Sequence, residues 1–399
     1  LRRDIQAVSV TFEGKQMITF IDPKRLAGAG FALDARVAPL LAMMDGRHDL
    51  RDIQMGLMHL TGGSIVPIAD VEALIDQFDR AFLLESDAFR LKKTAIMEDF
   101  SQKSIREPVL AGTSYEKEPD RLRAHIASVE AGLPVLPDQD DDIVGILAPH
   151  IEIAAAEKAY VDAYRRIKGR EYDLVIILGI NHHGGGEPYC LTEKDYVTPL
   201  CTLNTDKEFV AELKAGLPEG SVALNDFDHM MEHSIEFQAV FLAYYLGASA
   251  RIVPVLCGGI HEYLVSGKDP FCDERFIAFR DGILRIIKHS GRNVLFVSGV
   301  DFSHVGYKFG HSLPAGSLIG RATANDSLII DHLIGARARD IFQNARETGD
   351  QFNVCGLASM MLFSSLIGRC KAELLHHGTY DEPSTNSAVT FASMVFTRG

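Results

Sequence analysis

The chain has 399 residues, 47% of them apolar and 24% charged, with 34 glycines and 22 phenylalanines. That is the composition of a globular protein long enough for two domains, and its net charge of −14 speaks against a nucleic-acid footprint or an anionic membrane surface as partner.

From the N-terminus, LRRDIQAVSV lacks the apolar core of a signal peptide. VSVTFEGKQMITFID (8–22) alternates as short strands around a turn at Gly14. In LDARVAPLLAMMDG (33–46), Val37, Leu40, Leu41 and Met44 fall on one helix face that stops at Gly46. LRDIQMGLMHLTG (50–62) repeats that grammar, and DVEALIDQFDRAFLLES (70–86) is a third amphipathic helix with an apolar tail. These predict a small α+β, winged-helix-like domain over residues 1–100. MEDFSQKSIREP (97–108) is polar and ends in proline, which places the boundary there.

A second domain, 107–399, alternates strands and helices. IVGILAP (143–149), DLVIILGI (173–180), RIVPVLCG (251–258) and NVLFVSG (293–299) are rich in Val, Ile and Leu without period-2 alternation, as in strands covered on both faces. Helices are expected near 154–167, 206–216, 234–246 and 273–289, and two late strands at 371–381 and 388–396. The pattern predicts an α/β fold with a mainly parallel central sheet and helices on both faces. The longest apolar run, AVFLAYYLGASA (239–250), is too short to cross a membrane. Cys190, Cys201, Cys257, Cys272, Cys355 and Cys370 form no CxxC, which fits reduced thiols in a cytoplasmic protein better than a zinc ribbon or a disulfide scaffold.

Polar residues gather where the strands end. IVGILAP leads into His150, DLVIILGI into Asn181-His182-His183, and NVLFVSGV into Asp301-Phe302-Ser303-His304, while RIVPVLCG carries Cys257. In open α/β sheets the loops at the carboxyl ends of the strands converge on a crevice, so these imidazoles and the carboxylate meet in space. Each also has a plainer reading. His150 after Pro149 suits a simple turn, and Asp301 suits a helix N-cap. Neighbouring side chains on extended backbone point oppositely, so only one of His182 and His183 faces a metal. The glycines at 184–186 form either a flexible turn or a pocket floor. In EHSIEFQ (232–238), Ser234 reads as an N-cap and Glu236 as a first-turn acid, leaving His233 for the crevice. Cys355 is either a buried thiol or a thiolate at a helix N-terminus. HHGTYD (376–381) reads as a surface or strand feature. Two imidazoles and an anionic group suit a mononuclear divalent metal, with His183, His233, Asp301 or His304 moving protons. No GxSxG, GxGxxG or GxxxxGK[ST] occurs, so hydrolase-elbow, dinucleotide and P-loop readings lack support.

AGTSYEKEPDRLRAHI (111–126), LAPHIEIAAAEKAY (147–160), LGINHHGG (178–185), YVTPLCTLNTDKEF (196–209), EHSIEFQ, IVPVLCG, SGVDFSH and VCGLASM together resemble the Memo family, called AmmeMemoRadiSam system protein B in microbes. The resemblance implies a fold similar to class III extradiol dioxygenases. It places the metal-pocket set on His150, His182 and Cys355, with Asp301 and His304 as the adjoining polar pair. It further implies Fe(II), with Cu or Zn as alternatives, and an undefined small-molecule or peptide substrate. After APH this chain departs from the family pattern, with IEIAAAEKA in place of Ala-Gly-Tyr. FALDARVAPLLAMMDGRHDLRDI resembles the PqqD-like winged-helix unit, through Leu33, the Leu40-Leu41 pair and Asp45-Gly46-Arg47. That likeness implies peptide capture, with radical-SAM and AMMECR1-like proteins as partners. Two functions compete: an iron-dependent, dioxygenase-type oxidoreductase, and a non-catalytic metal- and peptide-binding partner in a radical-SAM modification system. Zinc-type hydrolysis is a third, needing only the same ligands and a bound water.

Overall fold

The computed structural model describes residues 1–398 apart from 23, 28–31, 137–141, 183 and 185. The chain divides into two compact units, Leu1–Gln102 and Lys103–Gly399.

In the first unit, β1 (Gln6–Phe12), β2 (Lys15–Ile21) and β3 (Ala32–Asp34) form an antiparallel sheet in that order. The helices α1 (Ala38–Met43), α2 (Leu50–Leu60) and α3 (Ile68–Arg80) pack with it around Leu40, Ile53, Val71 and Phe78. Asp49 opens α2 as a reciprocal capping box with Asp52, satisfying backbone N–H groups that the first turn leaves free. A fourth helix, α4 (Asp87–Gln102), occupies the stretch read as apolar tail and polar boundary. It buries only Phe89 and Phe100, so its sequence carries little helical periodicity to detect. Phe89 lies under the buried guanidinium of Arg2 at 3.9 Å, and Arg2 in turn pairs with Asp4 and Asp22.

The second unit begins with β4 (Ile105–Arg106), α5 (Pro119–Ala131), β5 (Ile143–Ala148), α6 (Ile153–Arg165) and β6 (Leu174–Ile180). There follow β7 (Tyr189–Leu191), β8 (Asp195–Val197), β9 (Thr202–Leu203), α7 (Lys207–Ala215), α8 (His233–Tyr245) and β10 (Arg251–Cys257). Next come α9 (Ile260–Ser266), α10 (Glu274–Ser290), β11 (Val294–Gly299), β12 (His304–Gly306), α11 (Ile319–Ile334) and α12 (Ala338–Thr348). The chain closes with α13 (Leu357–Ile367), β13 (Lys371–Glu382) and β14 (Ser387–Thr397).

The large sheet runs β12-β14-β5-β11-β6-β10-β7, with β13 also on β14. It is mixed rather than mainly parallel. The four strands β5, β11, β6 and β10 are mutually parallel, whereas β7, β12, β13 and β14 add antiparallel flanks. The β13–β14 hairpin explains the difference: two late strands joined by a short connection pair antiparallel, and β14 then lies against β5. β5, β6 and β11 are buried along their whole length and β10 at all but Arg251. One apolar layer includes Val210, Phe279, Ile329 and Met360, and the opposite layer Ile126, Tyr164, Phe237 and Phe241, so helices cover both faces. No helix among the described residues is long and apolar enough to cross a membrane.

The parallel centre fixes where chemistry can gather. All four strands end at one edge, and α8 packs close over them. A Cβ on Gly299 would lie 2.7 Å from the Ser234 carbonyl oxygen and 2.7 Å from Gln238 Nε2. Gly299→Ala is therefore expected to destabilise the protein by about 1–3 kcal/mol through overpacking, read as a lower urea midpoint with an unchanged slope.

Candidate metal centre

Pro149 carries the chain out of β5 into His150, which is 2% exposed. The imidazole is fixed on its Nδ1 side by the Gly299 carbonyl at 3.0 Å. With Nδ1 donating, Nε2 is left as the lone-pair nitrogen. It faces the Cys355 Sγ at 3.4 Å and Asp301 Oδ2 at 3.5 Å. Burial lowers the basicity of His150, with the Asp301 charge opposing, so the ring is held neutral as a ligand must be.

His182 follows β6 and presents its Nδ1 to both oxygens of Glu232, at 3.1 and 3.0 Å. Burial works against protonation of His182, but the charge and hydrogen bond of Glu232 outweigh it and raise the affinity for a proton. Glu232 is 3% exposed. Burial alone would raise its carboxyl, yet His182 holds it well below the usual carboxylate range. The same carboxylate caps α8, accepting from the backbone N–H of His233 at 2.9 Å and of Ser234 at 3.0 Å. Glu232, not Ser234, is thus the N-cap. The Ser234 hydroxyl instead accepts from the Ile180 N–H at 2.9 Å. Glu236, read as a first-turn acid, pairs with buried Arg106 and also accepts from the Leu110 N–H and the Tyr115 hydroxyl. Arg106 holds the Glu232 carbonyl as well, at 2.8 Å.

Asp301 does not cap a helix. Its Oδ1 accepts from the backbone N–H groups of His150 and Ile151, at 3.0 and 3.1 Å, locking the β5 and β11 exits together. His304 opens β12, with Nδ1 against the Phe302 carbonyl at 3.1 Å; burial depresses it to about 4. Cys355 lies just before α13, which Gly356 caps. Burial pushes its thiol well above the ordinary 9.0, and the Asp301 charge pushes the same way. Burial thus favours the thiol form of Cys355, which donates to the Asp301 carbonyl at 3.7 Å.

Among the described residues, two groups bring ligating atoms within 4.8 Å of one another: His150, His182 and Cys355, and His182, Glu232 and His233. The first is the better metal site. Both of its imidazoles have Nδ1 committed to an oxygen acceptor, the arrangement that orients metal-bound histidines, whereas Glu232 in the second is occupied as the helix cap. His233 stacks on His182 with ring centroids 5.1 Å apart and 8° between planes, and stands edge-on to His150 at 5.3 Å. The structure thus brings His150, His182, Cys355, Asp301 and His233 into one crevice, and the charges of Asp301 and His150 also reach His304. His183 lies outside the described residues. Gly184 sits against the Asn181 side chain, whose amide would have to shift to admit a Cβ there. Cys257 is fully buried inside β10 and away from the ligand groups.

Sequence reading passed over Glu232 and Arg106. Glu232 was legible in principle, since an acid directly before a helix start can cap it; Arg106 works over a separation of 126 residues and leaves no local signal. In HHGTYD, His376 pairs with Asp162 and His377 with buried Asp326.

The pattern of the Memo-like protein family matches residues 106–395. A MEMO1 family protein of Aquifex aeolicus is 29% identical over 362 residues, covering 90% of each chain, a span longer than the second unit. One from Methanosarcina barkeri is 27% identical over 296 residues, 73% of this chain and 99% of its own. One from Pyrococcus abyssi is 31% identical over 237 residues, 56% of this chain and 76% of its own.

The Glu232–His182 pair makes ion-free stability depend on pH in a defined way. His182, raised above 6.5, contributes fully below that value and loses its share as pH climbs through its folded pKa. Glu232, depressed below 4.5, contributes fully above that value and loses its share as acid protonates it. The pair therefore stabilises most between pH 4.5 and 6.5. In that window Glu232→Gln is expected to cost about 2–3 kcal/mol, less than for a fully buried pair because His182 stays partly in water. Urea melts of apo protein across pH 4–9 check this; an unchanged pH profile in the variant would refute it.

Proposed function

We propose, from the premise that this chain belongs to the Memo-like protein family, that it is a metal-dependent oxidoreductase whose ion is held by His150, His182 and Cys355. The carrying observation is the convergence of the three ligand atoms, with both imidazoles already turned by their Nδ1 partners. The donors fit the group: two imidazoles with one sulfur suit Fe(II), copper or zinc rather than magnesium or calcium. Bound there, Fe(II) would supply redox and dioxygen chemistry of the kind seen at sites with two histidines and one anion.

The chain's own residues supply the rest. Asp301 is spent on two backbone N–H groups, so it holds His150 in place and adds negative charge beside the ligands. His304, depressed to about 4, is neutral at pH 7 and only a weak base, able to take up a proton transiently. His233, 38% exposed at its side chain and stacked on His182, stands at the solvent side, where it can pass a proton outward. A sulfur as third ligand, in place of a carboxylate, softens the site and favours copper more than a carboxylate would.

A second reading, a metal- and peptide-binding partner in a radical-SAM modification system, draws on the first unit. There β1 is an edge strand carrying Phe12 at 65% exposure, a surface suited to adding a peptide strand. Radical-SAM and AMMECR1-like proteins are the partners this reading names. A PqqD-like winged helix for this unit and an extradiol-dioxygenase-like fold for the second belong to the same proposals.

Anaerobically purified protein is expected to carry one Fe(II) per chain by elemental analysis, with His150→Ala/His182→Ala reducing occupancy at least about tenfold. Unchanged metal in the double variant overturns the assignment. Because His182 and Cys355 both hold protons more tightly than usual, metal must displace them, and affinity should rise with pH. Calorimetry in buffers of different ionisation enthalpy reads that release. Oxygen uptake with catechols separates the two readings; none leaves the binding-partner reading ahead.

A further inference from the structure

Residues of α5, α6, α8 and the loop at 112–116 line a solvent-open cavity of about 290 Å³ that includes none of the ligand residues. Its helix faces are apolar, with Ile126 and Val129 from α5, Val161 from α6, and Phe241 from α8, while the loop adds Thr113, Ser114 and Tyr115. Its mouth is different. Glu116 and Glu157 stand there with His125, which meets Glu157 Oε1 across the opening at 2.8 Å. Among the described residues that line it there is no lysine or arginine.

The cavity owes its shape to the stretch after His150. Ile153, Ala154 and Glu157 of IEIAAAEKA all line it, and Ala156 interrupts α6 with φ −140° and ψ 26°. The first turn of α6 is thereby set off from the rest, and the small Ala154 leaves the space open.

A cavity of this size lies at the lower end of the range for small-molecule sites, about 300–1,000 Å³. Its apolar helix faces receive a hydrophobic body, while the carboxylates of Glu116 and Glu157 orient a ligand by charge. We propose that it binds a small organic cation, an ammonium group on a single apolar ring or branched chain. The body fills the space between Ile126, Val161 and Phe241, and the ammonium donates to Glu157 and Glu116. No metal is involved, so the proposal stands or falls apart from the assignment of the metal centre.

The test uses the full chain and three probes of one shape: 2-phenylethylamine, 2-phenylethanol and phenylacetate, titrated by calorimetry at pH 7. The amine is expected to bind saturably and at least about tenfold more tightly than the alcohol, the difference a charged hydrogen bond makes, with phenylacetate weakest. Glu157→Gln should bring the amine down to the level of the alcohol. His125→Ala should leave the amine's affinity unchanged or higher. Ala154→Leu, which fills the space, should abolish binding of both, with circular dichroism and metal content confirming that the variant is folded. Equal affinity for all three probes, amine binding that survives Ala154→Leu in folded protein, or no saturable heat with the amine overturns the proposal.

Discussion

The carboxylate of Glu232 is the interaction on which the site depends. It is buried, capped by two backbone N–H groups at the start of α8, and bonded to His182 from the end of β6. A buried carboxylate without such partners would protonate; with them it stays charged and ties a helix terminus to a strand terminus. Arg106 closes the arrangement by holding the Glu232 carbonyl and the Glu236 carboxylate one turn further on. The end of α8 is therefore fixed by charge as well as by packing, and the His182 ring is fixed with it.

Asp301 does the corresponding work on the other side. Its two backbone hydrogen bonds join the chain leaving β5 to the chain leaving β11, and the Gly299 carbonyl holds the imidazole of His150. Glu232 thus turns the His182 ring, while Asp301 anchors the His150 backbone. This division of labour is what the second group of ligating atoms, His182, Glu232 and His233, would lose if an ion sat there: Glu232 would have to leave its role as a helix cap. Cys355 offers the third candidate ligand atom, a soft sulfur whose thiol burial keeps protonated; a metal bound there would have to displace that proton, which would couple occupancy to pH.

Much of this arrangement was legible in the strands. Runs such as LVIILGI and VLFVSG carry no period-2 alternation because both of their faces are buried, and the polar residues fall where those runs stop. A parallel set of strands must bring its ends to one edge, so His150, His182 and Asp301 were candidates from position alone. The antiparallel flanks were less legible. β13 and β14 read as strands, but their register and their place beside β5 depend on long-range pairing. α4 was hidden because its burial rests on two phenylalanines in a polar stretch.

The sequence by itself determined the parallel centre, the identity of the strand-end residues, and the family pattern over residues 106–395. Local periodicity and residue type suffice for those. Only the tertiary structure decided which oxygen turns each imidazole, that Glu232 caps α8, and that Arg106 reaches it across 126 residues. It alone also showed that the stretch after His150 opens a cavity of its own. Those outcomes rest on contacts between segments far apart in the chain, where no local propensity acts and where burial sets which charges survive.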